Sequence, residues 1–157
     1  SGLNDDQVRT IYISGLLHDI GKISIPEAIL NKESRLSEEE YQAMKDHVNN
    51  SIAIIRHLPE MDYLIPAVLG HHERWDGKGY PRGIAGKEIP VTARCLAIAD
   101  VFDAMTTDRP YRKGMSLEYA LGEITRGAGT QFDPELAVTF VQLIQTKRIP
   151  LQKELAV

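Results

Sequence analysis

The sequence predicts an all-α domain. Three observations predict it. Apolar residues recur at helical spacing in one segment after another, capping residues stand where those segments begin, and no stretch shows the alternation of a strand. The chain has 157 residues, enough for one domain with a substantial core. Apolar residues make up 43% and charged residues 25%, ordinary values for a globular protein. Net charge is −4, which excludes a general basic field for nucleic acid polymers. Phosphates must therefore be handled by local side chains or metals. Cys95 stands alone, so no disulfide forms within the chain. That fits a reducing compartment, the cytoplasm, and a small core residue. No apolar run approaches the ~20 residues of a membrane span.

Asn4 or Asp5 can cap a first helix with the apolar set Val8, Ile11, Tyr12 and Leu16, ending near His18, Asp19 and Gly21. Pro26 at a first helical position marks a short helix within 23–30. Ser37 and Glu40 form a capping box for a long helix through Tyr41, Met44, His47, Val48, Ile52 and Ile55, ended by Pro59 and Glu60. A third runs over 63–72, with Pro66 near its start. Residues 73–90 hold six Gly and Pro among eighteen and read as one long loop, which in a small domain is usually functional. An apolar helix follows over 91–105, interrupted by Arg94, Asp100 and Asp103. Ser116 caps a helix ending near Gly127, and Asp133 with Pro134 opens the last.

The chain is organised around His71–His72–Glu73–Arg74–Trp75–Asp76–Gly77–Lys78–Gly79–Tyr80–Pro81. Adjacent helical residues point about 100° apart, so the two imidazoles suit one wide pocket rather than one narrow position. Tyr80, held between Gly79 and Pro81, is placed to stack on a planar ligand. Six further-reaching candidates stand on helices: His18, Asp19, His47, His71, His72 and Asp100. Each alone has an ordinary reading as a surface or satisfied core group, and His57 keeps it. Asp100 lies in the apolar run 96–102, where a fully buried carboxylate needs a partner, a cap or a metal. Asp103 follows one turn later. Mixed imidazole and carboxylate donors suit manganese, iron or zinc better than calcium or magnesium.

His18–Asp19–Ile20–Gly21–Lys22 resembles the signature of the HD phosphohydrolase superfamily, and 71–81 resembles the defining segment of its HD-GYP subfamily. Residues 98–104, Arg109–Pro110–Tyr111–Arg112 and 129–134 match in order, so the resemblance runs from about Leu16 to Phe140 of a single domain over 1–157. It implies an HD-domain helical bundle with a long GYP loop. It also implies a metal-dependent phosphodiesterase that hydrolyses cyclic di-GMP to linear pGpG, and in some members to GMP. Two or three metals, iron or manganese, are implied. Asp19 would bridge two of them, His18 and Asp100 would bind one, and His47, His71 and His72 the other. Lys22 would contact the reacting phosphate. Asp76, Gly79, Tyr80, Pro81 and Asp103 would shape the substrate cleft, and Arg109 and Arg112 would meet the other phosphate or the bases.

The physics suits these roles. Two metals ~3.5–4 Å apart ionise a water at neutral pH and screen the phosphate. Bridging needs a carboxylate, because an imidazole nitrogen has one lone pair. Lys22 brings a point charge one turn beyond the HD pair, although a cation at a helix C-terminus is also ordinary. The same applies to Arg109 and Arg112, while Tyr80 also suits a packed turn. A binding module without catalysis, or an HD phosphohydrolase acting on another cyclic dinucleotide, remain the alternatives.

The sequence departs from the family in two places. No His or Glu precedes His18 to supply the upstream ligand that the family carries, so the chain reads as part of a longer protein, with a receiver or sensor domain upstream. The His18–Asp100 metal is then expected to bind the more weakly, and exposed Val8, Ile11 and Leu16 to favour a homodimer. Ser51 stands where the family usually has Gly, a difference expected to affect packing rather than chemistry.

Overall fold

The structure, a computed structural model, describes residues 2–108 and 113–146. Arg109 and Arg112 lie outside the described residues. Eight α-helices run in order: α1 (Asp5–Leu17), α2 (Glu27–Leu30), α3 (Glu38–Lys45), α4 (His47–Ile55), α5 (Ile65–Gly70), α6 (Val91–Thr106), α7 (Leu117–Gly127) and α8 (Pro134–Gln145). Tight 3-10 turns stand at Ile20–Ser24, Asp62–Leu64 and Gly86–Glu88. The fold is all-α among the described residues, with a lone bridge between Ala128 and Phe132. No helix among them is long and apolar enough to cross a membrane.

Capping decides where the helices start. Asn4 and Gln7 form a reciprocal box, the Asn4 side chain accepting from Gln7 N–H at 2.9 Å. Ser37 and Glu40 repeat it. Ser116 accepts from Tyr119 N–H, and Asp133 from the N–H groups of Glu135 and Leu136. Each satisfies amides that a helix start leaves orphaned.

The inward face of α1 differs from the sequence expectation. Val8, Tyr12 and Leu16 are exposed, whereas Ser14 is fully buried and Ile13 and Leu17 pack on the core. The rotation that turns His18 inward carries Ser14, four residues earlier, with it. The expected long helix from Ser37 is two helices, divided at Asp46. The expected helix over 23–30 is a 3-10 turn and a single α-turn, separated at buried Ile25.

One core cluster gathers Val48, Ile52 and Ile55 of α4 with Leu64 and Val68, covered by Ile13, Leu17 and Tyr80. A second gathers Ile98, Ile124, Phe132 and Ala137, covered by Val101 and Phe140. Helix α6 runs through the middle and touches α1, α5, α7 and α8. Its Arg94 donates from Nε to Ile89 O at 2.9 Å and pairs with the buried Asp133 carboxylate. This ties α6 to the start of α8.

The tightest joint lies between the 3-10 turn Ile20–Ser24 and α4. A Cβ on Gly21 would stand 2.2 Å from His47 O and 2.3 Å from Ser51 N, so only glycine fits. Ser51 Oγ accepts from Gly21 N–H at 2.9 Å and donates to His18 O at 2.8 Å. Ser51 is therefore a structural fastener that closes both ends of the His18–Gly21 turn on α4.

Gly21→Ala is expected to cost about 1–3 kcal/mol or more, because backbone rather than a flexible side chain blocks the new methyl. Thermal unfolding should shift down by at least several degrees. Ser51→Ala is expected to be milder, about 1–2 kcal/mol, since it strands a buried N–H without a clash. A Gly21→Ala protein melting with wild type would show that the joint can open freely.

Candidate metal centre

The site is assembled from helix ends. His18 is the C-cap of α1, His47 opens α4, and His71 is the C-cap of α5 with His72 beyond it. Three of the rings are aimed by the same local device. Nδ1 of His18 lies 2.9 Å from Gly15 O, Nδ1 of His47 2.6 Å from Met44 O, and Nδ1 of His71 2.6 Å from Val68 O. Each carbonyl is three residues back and accepts the imidazole N–H. That fixes the tautomer and leaves the Nε2 lone pair facing inward.

The rings converge. Centroids are 3.9 Å apart for His71 and His72, and 5.1 Å for both His47–His72 and His18–His71. Donor atoms of His47, His71 and His72 lie within 4.8 Å of one another, as do those of His18, Asp19 and His71. Asp19 stands between the groups. Its Oδ1 is 3.3 Å from His47 Nε2 and its Oδ2 is 3.4 Å from His18 Nε2. Asp100 faces His18 Nε2 at 3.4 Å. Lys22 Nζ donates to Asp19 Oδ2 at 2.6 Å.

Asp100 is not fully buried, as its apolar neighbours suggested. Leu96, Ala97 and Ile98 are buried, but Ala99 and Asp103 are exposed and Asp100 is half-buried at the cluster's edge. The run is apolar because α6 is flanked on several sides, while Asp100 on it faces His18.

Burial holds His71 down at about 4 and His72 at about 3, and holds His47 below its usual value. Burial also opposes charge on His18, but the carboxylates of Asp100 and Asp19 outweigh it and raise that pKa. Asp19 and Asp100 are pulled below the ordinary range, against burial, by Lys22 and the histidines and by His18 respectively. Near neutral pH the cluster thus holds neutral imidazoles at His47, His71 and His72, beside a more basic His18 and two carboxylates.

Four buried atoms here have no hydrogen-bond partner: His18 Nε2, Asp19 Oδ1, His47 Nε2 and His71 Nε2. An unmade buried hydrogen bond costs about 1–3 kcal/mol, and four lone pairs aimed at one space are hard to explain without a cation. The donors present fit divalent metal, and the cluster can hold it.

The loop over 73–90 is docked at both sides. Asp76 N–H donates to Thr130 O at 2.8 Å and Trp75 N–H to Gln131 O at 3.2 Å. Gly79 passes so close to His72 O and Glu73 Cα that a Cβ would stand 2.5 Å from either. Tyr80 N–H donates to His72 O, and the Tyr80 ring stacks on His72 at 4.8 Å. Burial raises its phenol pKa. Pro81 is exposed. The structure does not bring Asp76 to the cluster: its carboxylate is engaged by Arg74 at 2.8 Å and by Lys78 N–H. Asp103 is exposed and accepts from Thr107 Oγ1. His57 is exposed.

Glu73 escaped the sequence reading. It is buried, its Oε1 accepts from Arg82 N–H at 2.7 Å, and its Oε2 has no partner. The signal was its place next to two histidines, which masked its own role as a pin for the loop's exit.

With that geometry established, three kinds of likeness can be set beside it. The family model described as HD domain matches residues 1–136. A cyclic di-GMP phosphodiesterase of Thermotoga maritima is 41% identical over 90% of this chain and 39% of its own length. The cyclic di-GMP phosphodiesterase response regulator RpfG of Xanthomonas campestris is 39% identical over 85% of this chain and 36% of its own length. The 3'3'-cGAMP-specific phosphodiesterase 1 of Vibrio cholerae is 44% identical over 74% of this chain and 27% of its own length. The chain thus spans less than half the length of these curated relatives. A solved cyclic GMP-AMP phosphodiesterase of V. cholerae superposes with a TM-score of 0.71 over 94% of this chain and 40% of its own, at 22% identity, a likeness of fold. The paired His18–Asp19, the helical bundle around it and the match over 1–136 lead to one conclusion: this chain belongs to the HD domain family.

Proposed function

We propose that this domain is a metal-dependent phosphodiesterase that hydrolyses cyclic di-GMP to linear pGpG within a bacterial signalling protein. The observation that carries the reading is the Asp19 carboxylate, whose two oxygens face two different histidines amid partnerless lone pairs. His18 and Asp100 would hold one divalent ion, and His47, His71 and His72 a second, with Asp19 shared. Iron or manganese suits this donor set, and a third ion is compatible with it. Bound there, the ions supply an ionised water and screen the phosphodiester.

The chain's own groups divide the remaining work. Lys22 is half-exposed beside Asp19 and can turn its ammonium to a phosphate oxygen. Tyr80, backed by His72, offers a flat face to a base. Gly79 lets the loop approach the ligands, and Pro81 sets its exit. Arg109 and Arg112 would serve as partners for the ligand's outer groups, while Asp76 and Asp103 would contribute only at the margin of the cleft. Hydrolysis adds water across one P–O3' bond, leaving the phosphate on one nucleotide and the proton on the freed 3'-hydroxyl.

A second reading keeps the chemistry and changes the ring: hydrolysis of 3'3'-cGAMP, for which some of the relatives are named. The chemistry at phosphorus is identical, so turnover of both nucleotides by protein reconstituted anaerobically with iron or manganese decides between them. Bound nucleotide that is never hydrolysed by fully metal-loaded protein would leave a binding module instead.

Asp19→Ala is expected to lose both ions, since it touches both histidine groups; metal analysis finding one ion fully retained would sink the shared-ligand role. Tyr80→Ala is expected to lower turnover about tenfold or more, from the ~1–3 kcal/mol of base stacking, with metal content unchanged. Loss of metal or of fold in that variant would make the ring a packing residue.

A further inference from the structure

Lys45 is not among the residues that the fold or the metal centre uses, yet the structure holds its ammonium at the edge of the site. It stands in the last turn of α3, two residues before His47. Its Nζ lies 4.8 Å from the centroid of Tyr41, one turn back on the same helix, and 5.9 Å from that of Tyr80. Tyr80 in turn stacks on His72. A cation within ~6 Å of two aromatic rings is attracted to both, which narrows the range of a long side chain.

The ammonium is held in place without being neutralised. Lys22 is paired with Asp19 and Lys32 with Glu40, but among the described residues no carboxylate oxygen lies within 4.0 Å of Lys45 Nζ and no hydrogen bond engages it. Its three N–H donors remain available. Through Tyr80, which stacks on His72, they lie on the Tyr80 side of the site.

On the reading of the site as a cyclic dinucleotide phosphodiesterase, this position has an obvious need. Such a ligand carries two phosphodiesters. One must sit at the metal cluster, and the other lies across the ring with its charge exposed. We propose that Lys45 is a positioning residue that binds the phosphodiester not being cleaved. Tyr41 and Tyr80 act as a two-sided guide for it. The ammonium contributes ring recognition rather than chemistry at phosphorus, and it favours a ligand with a second phosphate over one without.

The test is equilibrium binding to manganese-loaded protein, with cyclic di-GMP and GMP as ligands. Lys45→Met is expected to weaken cyclic di-GMP binding about tenfold or more, the loss of one charge-assisted contact. GMP affinity should change less than twofold, metal content should be unchanged, and Lys45→Arg should recover most of the loss. Equal weakening for both nucleotides, or none for either, overturns the proposal. So does a wild-type protein that binds no cyclic di-GMP. If binding depends on Lys45 but the metal-loaded wild type never cleaves the nucleotide, the hydrolase reading falls and Lys45 stands. Cleavage with an affinity indifferent to Lys45 has the opposite meaning.

Discussion

The close approach of Gly21 to the backbone of α4 is the constraint on which the site depends. His18 and Asp19 precede that glycine, and His47 opens the helix it touches. Removing the Cβ lets the two backbones meet, and Ser51 then locks the turn from both sides. Without this joint the HD pair would still end α1, but Asp19 would have no fixed relation to His47. The shared position of its carboxylate is a consequence of packing, not of any property of aspartate.

The electrostatics follow from the same burial. A pocket that strips water from three imidazoles holds them neutral and keeps their lone pairs available. The two carboxylates stay ionised because Lys22 and His18 compensate them. The result is a site with fixed acceptors and ionised carboxylates, set by local contacts and not by the protein's overall charge. Such a donor set suits a cation.

The sequence made legible whatever is decided within a few residues. Asn4, Ser37, Ser116 and Asp133 cap their helices as their neighbours indicate, because capping needs only the next turn. The six candidate metal ligands meet in space, since each carries a chemical identity that survives any fold. What was hidden depends on tertiary contact. The α1 face was misread because Ser14 is buried by the demands of His18, while Val8 and Leu16 look apolar but remain outside. The division at Asp46 left no mark in the pattern, since the residue keeps helical angles. Asp76 looked like a ligand-facing acid until Arg74 claimed it. Glu73 showed only its place beside two histidines and Lys45 showed nothing, because their meaning lies in Arg82 and Tyr80.

The bonds from imidazole to the carbonyl three residues back have a broader consequence. Gly15 to His18, Met44 to His47 and Val68 to His71 are three self-contained cassettes, each aiming its own ring. Their joint geometry is therefore a problem of placing three rigid bodies rather than of tuning many side chains. Insertions between cassettes can lengthen or shorten the connecting segments while every ring keeps its aim. Such modularity lets surface loops diversify around an unchanged centre, and it makes the three short segments natural units for transplanting this site into another helical scaffold.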